Sequence, residues 1–297
     1  MSERFTDILG DWNKYKKYYT KTSKYLPFLR KSLNISCTEG VCGQGGFGKV
    51  FVSEANDGTK AIVKLIVLKN KLIKMDAMRE AQTLQEITHL GISPEFYSFC
   101  IDTKKNYGIL IMKYIKAITL DYLFQKLENA YFNAHLYGGI AEINRIAELN
   151  NSLIENLNLI ITILHGNGIV HYDLKPANVL AELLPDGSYR LYLIDFGSAQ
   201  HIGQPYKFVP ETPHYSLIQT LKAYNLTDFT DINNKSTAEL NVNDVWYPKA
   251  FYKHYRDKLR NNETRKMKVS PVANAYSLSI IKGNHTLKKR GGRRTRG

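Results

Sequence analysis

The stretch His171-Tyr172-Asp173-Leu174-Lys175-Pro176-Ala177-Asn178-Val179-Leu180 gathers an imidazole, a carboxylate, an ammonium and a primary amide just ahead of an apolar pair. A second short segment, Leu193-Ile194-Asp195-Phe196-Gly197, sets one aspartate among apolar residues. Between the two lie short runs that flank Pro185-Asp186-Gly187. The fixed φ of proline and the freedom of glycine predict a tight hairpin turn there, so the hairpin separates two polar clusters.

Upstream, Gly43-Gln44-Gly45-Gly46-Phe47-Gly48-Lys49-Val50 spaces its glycines so that backbone N–H groups can approach a polyphosphate between two strands. Alone, the cluster reads equally well as a glycine-rich β-turn. A strand rich in Val and Phe follows it rather than a helix, which argues against a dinucleotide-binding fold. Ala61-Ile62-Val63-Lys64 then places an ammonium on an otherwise apolar strand, where it needs a partner. Glu80, flanked by Ala77, Ala81 and Leu84, is the first candidate, and Glu86, nearly two turns further along, the second.

The hydrophobic pattern supplies the frame for these residues. From Ile35 to Val67 it is short and β-like, with an Asn56-Asp57-Gly58 turn, and predicts three antiparallel strands. Leu72 to Leu90 has helical spacing, and the runs Phe96 to Ile101 and Ile109 to Ile115 complete a five-stranded sheet with one helix. Past Leu120 the character turns helical, with Leu153, Leu157, Ile160, Ile161 and Leu164 on one buried face. Residues Arg4 to Lys31, rich in Tyr and Lys, read as an extension with a helix near its start, interrupted at Pro27.

Together these motifs resemble, in order and spacing, those of eukaryotic-type protein kinases: glycine loop, strand lysine, helix glutamate, catalytic loop and D-F-G segment. The resemblance implies an α+β, bilobal protein-kinase-like fold with a small β-rich N-lobe and a mainly helical C-lobe. It divides the chain into an extension (1–34), an N-lobe (35–115), a short C-lobe (116–285) and a basic disordered tail (286–297). By similarity, Asp173 accepts or orients the substrate hydroxyl, Lys175 steadies the γ-phosphate, and Asn178 with Asp195 binds Mg²⁺. Gly43, Gly45, Gly46, Phe47 and Gly48 cover the phosphates of ATP, which Lys64 holds while paired to Glu80. Adenine lies against Val50, Ile62 and Leu180, with Met112 as gatekeeper and the backbone of Lys113, Tyr114 and Ile115 reading its edge. Lysine two positions after Asp173, followed by proline, resembles the serine/threonine branch, so a protein serine or threonine is the expected acceptor.

The chain also departs from the family. Tyr172 stands where the family has arginine, which removes the cation that pairs with a phosphorylated activation loop. Thr212-Pro213-His214-Tyr215-Ser216 resembles the substrate-docking end of an activation segment, yet no A-P-E follows. Asp244-Val245-Trp246 resembles a remnant of the central helix whose aspartate supports the catalytic loop, although Pro248 follows closely.

Bulk properties narrow the setting. Three cysteines, Cys37, Cys42 and Cys100, offer neither a disulfide framework nor metal-ligand spacing, which suits a reducing compartment. No apolar run approaches the roughly 20 residues of a membrane span, and the first residues are too polar for a secretory signal. An intracellular protein, cytoplasmic or nuclear, is expected. Lys and Arg number 41 against 27 acidic residues, a formal charge of +14, concentrated partly between Lys288 and Arg296. That tail offers a surface to nucleic acid or an acidic partner. A small kinase with an arginine-glycine tail resembles those of large DNA viruses, which adds host cell or virion as locations. Two other readings compete: a pseudokinase or scaffold that binds without transferring, and a nucleic-acid-binding protein. The first predicts decay at Lys64, Asp173, Asn178 or Asp195, and none has decayed.

Overall fold

Phe51, Val63, Leu65, Ile109 and Ile111 are fully buried, and they share one face of a twisted sheet because side chains along a strand alternate with period two. In the computed structural model, residues 5–22, 41–45, 48–204, 274, 277–278 and 281–282 are described. The described chain divides into two units, one of Met1–Lys116 with Tyr192–Ala199 and one of Ala117–Leu191 with Gln200–Gly297.

The first unit is built on β1 (Phe5–Gly10), β2 (Val41–Gly45), β3 (Gly48–Glu54), β4 (Lys60–Val67), β5 (Phe96–Asp102) and β6 (Tyr107–Lys113). They form one antiparallel sheet in the order β1-β5-β6-β4-β3-β2. The turn after Ala55 closes as the sequence predicts, with Gly58 at φ 77° and the Ala55 N–H donating to Thr59 O.

The sheet has six strands, not the five expected. The sixth is β1, which runs antiparallel along the edge of β5, pairing Phe5 with Asp102 and Gly10 with Ser98. After it, α1 (Trp12–Thr22) lays Trp12, Tyr18 and Tyr19 onto the apolar sheet face. The physical reason is double: an open strand edge needs a partner, and a buried apolar face needs a cover. Polar pins fix the cover in place. Ser53 Oγ donates to Tyr18 O at 2.7 Å, Tyr19 Oη donates to Asp102 at 3.3 Å, and Tyr15 stacks on Tyr97 at 4.3 Å between centroids.

The face that carries Lys64 meets α2 (Lys71–Ile87). The Asn70 side chain caps α2, accepting the Ile73 N–H at 2.9 Å. Ala77, Glu80, Ala81, Leu84 and Ile87 form its buried stripe. The two alanines keep the helix surface low, so Glu80 can approach the sheet.

In the second unit, β7 (Ile118–Thr119) leads into α3 (Leu120–Tyr137) and α4 (Ile140–Gly166). The face predicted from Leu153, Leu157, Ile160, Ile161 and Leu164 is buried. A short ladder pairs β8 (Ile169–Val170) with β11 (Gln200–His201), and β9 (Val179–Leu183) lies between β7 and β10 (Tyr189–Leu193). The hairpin joining β9 and β10 turns at Pro185-Asp186-Gly187, with Gly187 at φ 85° and the Leu184 N–H donating to Ser188 O. A β-rich unit and a mainly helical one make an α+β protein. No helix among the described residues is long and apolar enough to cross a membrane.

Candidate functional site

Lys64 lies between Val63 and Leu65 on β4 and so points to the opposite face from those core residues. There its Nζ donates to both Glu80 carboxylate oxygens, at 2.6 and 2.8 Å, and to Asp195 Oδ1 at 3.0 Å. Glu80 is therefore the lysine's partner, and Glu86 is exposed. Burial by itself would drive the Lys64 ammonium toward the neutral form. The charges of Glu80 and Asp195 outweigh that and hold its pKa above the ordinary lysine value.

Asp195 belongs to the β-rich unit because the segment around it is tied there. The Leu193 N–H donates to Ile92 O at 2.8 Å, and Phe196 is fully buried. Arg79, next to Glu80 on α2, donates to Gly197 O at 3.3 Å while paired with Asp76. Asp195 itself has φ 65°, a left-handed conformation that costs a non-glycine residue about 1–3 kcal/mol. The same helix thus contacts both the strand lysine and the turn carrying Asp195.

The rest of the proposed nucleotide surface in this unit follows from strand register. Val50 sits opposite Lys64, and Ile62 opposite Met112, so all four share the face of the lysine. Val50 and Ile62 remain only half-buried. Gly43 and Gly45 lie on β2, with Gly45 opposite Gly48, and Gly46 and Phe47 fall outside the described residues. A Cβ on Gly48 would collide with the Leu65 carbonyl oxygen, so this position demands glycine for close backbone approach. Lys113, Tyr114 and Ile115 end β6 and the segment after it, and the Lys113 N–H is already bound to Glu95 O at 2.9 Å.

In the second unit, Asp173, Lys175 and Asn178 converge. Asp173 Oδ2 accepts from Lys175 Nζ at 2.8 Å and from Asn178 Nδ2 at 2.9 Å. Asn178 also donates to the Asp173 carbonyl at 2.8 Å, across the one-turn 3₁₀ helix Pro176–Asn178. His171 Nδ1 accepts the Asp173 N–H at 3.3 Å, so that nitrogen carries no proton. Leu180 follows on β9 and is half-buried.

Two contacts escaped the sequence reading. One is Arg79 on Gly197. The other is Asn274, which is fully buried, accepts the Tyr172 N–H at 3.2 Å and lies 3.1 Å from His165 Nε2. Nothing in the local pattern around Asn274 marks it, because its partners lie more than a hundred residues away in sequence. Tyr172, in place of the family's arginine, is buried and has φ 61°. The segments Thr212–Ser216 and Asp244–Trp246 and the tail Lys288–Gly297 lie outside the described residues.

Oxygen ligands are what magnesium requires; the first unit offers the carboxylate of Asp195 and the second, separately, the amide of Asn178. With its nitrogen on Asp173, Asn178 has its oxygen as the ligand atom. Around Lys64 one ammonium meets two carboxylates, so the cluster carries surplus negative charge on the side of the more exposed Asp195. A cation suits that surplus. Within its own unit each group has the chemistry of the partner expected for it: the carboxylate of Asp195 suits a cation, the ammonium of Lys64 a phosphate, and the amide oxygen of Asn178 a hard cation.

The protein kinase domain family matches residues 38–232, more than half of the chain, and the chain belongs to that family. It is 28% identical over 189 residues to calcium-dependent protein kinase 4 of Plasmodium berghei, covering 59% of this chain and 32% of that one. It is 29% identical over 161 residues to the serine/threonine-protein kinase PknD of Chlamydia caviae, covering 53% of this chain and 16% of that one. With the probable serine/threonine-protein kinase FPV226 of fowlpox virus the identity is 25% over 188 residues, 58% of each. The chain thus spans less than two thirds of the length of each of these relatives.

Proposed function

We propose that the protein transfers the γ-phosphoryl group of Mg-ATP to a serine or threonine hydroxyl of a protein substrate. The observation that carries this reading is the Lys64–Glu80–Asp195 cluster. Apolar residues of similar size would often serve stability as well as a buried ion cluster does, so a costly arrangement of this kind points to chemistry.

Each side chain has a task in the transfer. Lys64, held straight by Glu80, binds the α- and β-phosphates of ATP. Asp173 takes up or orients the proton of the acceptor hydroxyl, whose oxygen attacks the γ-phosphorus as the bond to the β–γ bridging oxygen breaks and ADP leaves. Lys175 steadies the γ-phosphate. Asn178 and Asp195 hold magnesium, which when bound neutralises phosphate charge. Val50, Ile62, Met112 and Leu180 give adenine an apolar bed. Since the Lys113 N–H is taken by Glu95, reading of the adenine edge falls to the other backbone groups of residues 113–115.

The serine/threonine preference draws on the Lys175-Pro176 pair and on the printed names of the chlamydial and fowlpox virus relatives. The test is transfer of labelled phosphate from ATP to generic basic and acidic protein acceptors, followed by phosphoamino-acid analysis. Phosphoserine or phosphothreonine is expected. Phosphotyrosine as the sole product overturns the acceptor class, and absence of transfer overturns the activity.

A further inference from the structure

We propose that the end of the first unit from which α2 springs is a surface for an anionic lipid membrane, formed by Lys69, Lys71, Lys74, Lys104 and Lys105 with Leu72 and Met75 set among them. The proposal stands apart from the catalytic reading above, in which none of these residues takes part.

Two segments distant in sequence bring the five lysines together. Val67 at the end of β4 pairs with Tyr107 at the start of β6, so the connection from β4 to α2 runs beside the turn between β5 and β6. The two are fastened to each other: the Leu68 N–H donates to Asn106 O at 3.0 Å, and Asn106 Nδ2 donates to Leu68 O at 2.5 Å. Asn106 holds φ 58°, and the Lys105 N–H donates to Asp102 Oδ1 at 3.1 Å, so the turn presents Lys104 and Lys105 in a set conformation. On the other side of the fastening, Lys69 precedes the Asn70 cap, and Lys71 and Lys74 follow it on α2. All five lysines are exposed.

Their charge is not answered within the described residues, where none of the five forms a salt bridge with a carboxylate. The acids nearest in sequence are engaged elsewhere. Asp76 pairs with Arg79, and Asp102 is fully buried and accepts from Tyr19. Five like charges on two adjoining segments make a positive field that suits an external anion.

The apolar residues decide which anion. Leu72 is 71% exposed and Met75 48%. They lie three positions apart, as Lys71 and Lys74 do, so an apolar pair runs alongside a basic pair in the first turns of α2. Nucleic acid gains nothing from an exposed leucine, and residues 68–75 and 103–106 contain no aromatic ring on which a base could stack. An anionic bilayer uses both kinds of side chain: its headgroups attract the lysines, and the acyl boundary receives leucine and methionine.

The test titrates the full chain with vesicles of phosphatidylcholine alone and of phosphatidylcholine with about a third phosphatidylserine. Binding to the second kind only, weakened by added salt, is expected. A lysine near an anionic surface contributes about fivefold to partitioning, so Lys104→Ala with Lys105→Ala should weaken binding about 25-fold. Lys14→Ala with Lys16→Ala removes the same charge from the exposed side of α1 and should weaken it by no more than about twofold, because screening confines the effect of a distant charge. Leu72→Ser with Met75→Ser leaves the charge unchanged. That pair should weaken vesicle binding about tenfold or more and leave any binding of polyuridylate as it was. Leu72→Trp gives a reading independent of affinity: relative to the wild-type chain, its added emission should shift to the blue on anionic vesicles. Absence of binding to those vesicles, or equal weakening by the two lysine pairs, overturns the proposal. So does an unshifted emission in vesicle-bound Leu72→Trp. Undiminished vesicle binding after Leu72→Ser with Met75→Ser also overturns it and makes the patch a face for a polyanion such as nucleic acid.

Discussion

Lys64 and Glu80 meet as a chelated pair, with one ammonium nitrogen 2.6 Å from Oε1 and 2.8 Å from Oε2 of the same carboxylate. Removing one partner of a buried pair strands the other, which typically costs about 3–5 kcal/mol. Lys64→Met is therefore expected to lower stability by that order and to abolish phosphoryl transfer. Adding Glu80→Gln to it should restore much of the stability and none of the activity. Urea denaturation and transfer assays on the two single variants and the double variant form the thermodynamic cycle that checks this. A double variant no more stable than Lys64→Met would contradict it.

Asp173→Asn keeps the shape of the side chain and removes its charge. General-base assistance is worth about 10²–10⁴-fold, so transfer should fall by that much. The rise in melting temperature that ATP produces should change little, because the nucleotide contacts proposed for Lys64 lie on a different unit. Undiminished initial rates would remove Asp173 from the proposed role.

Trp12 is buried against the sheet together with Phe5 and Tyr19, with ring centroids 5.1 and 5.7 Å away. Truncating a buried tryptophan to alanine typically costs ~3–5 kcal/mol, so Trp12→Ala should cut the unfolding free energy by that order although it lies far from the site in sequence. Denaturant unfolding followed by circular dichroism measures it. A loss below about 0.5 kcal/mol, the level of an ordinary surface change, would show that the extension is only loosely attached.

Cys100 is buried on β5, and burial, with lesser help from Asp7 and Asp102, pushes its thiol up to about 12. The thiolate is the reactive form, so the peptide containing Cys100 should stay unmodified by iodoacetamide at pH 8 in the native protein and be labelled once the chain is unfolded. The linkage has a definite sign. A raised value means that the native state holds its proton longer than the unfolded one, whose thiol ionises near about 8.5. This contribution to stability is complete below that pH and is lost as pH climbs toward the native value. Mass spectrometry of labelled peptides and melting curves between pH 7 and pH 10 check the two halves.

What could be read in the sequence was what local backbone chemistry and a recognisable order of motifs carry. Lys64, Glu80, Asp173, Asn178 and Asp195 stood out because their motifs resemble, in order and spacing, those of the kinase family, and an ammonium on an otherwise apolar strand called for the partner that Glu80 supplies to Lys64. Turns such as Ala55–Thr59 and Leu184–Ser188 were legible because proline, glycine and aspartate carry local backbone preferences. The pairing of Phe5–Gly10 with β5 was not, because an edge strand is chosen by tertiary neighbours and its own residues alternate only weakly. Asn274 was hidden for the same reason: an asparagine has no periodic signature, and its importance arises only when Tyr172 and His165 surround it.

The pairing of β1 with β5 sets an order of events during synthesis. Phe5–Gly10 is translated well before its partner Phe96–Asp102 exists, and at about 5–20 residues per second the delay is several seconds or more. Throughout that interval an aromatic strand and helix wait without the surface that will receive them. Trp12, Tyr18 and Tyr19 can be covered only once β5 has emerged, so a nascent-chain chaperone that shields residues near Trp12 would act in that interval.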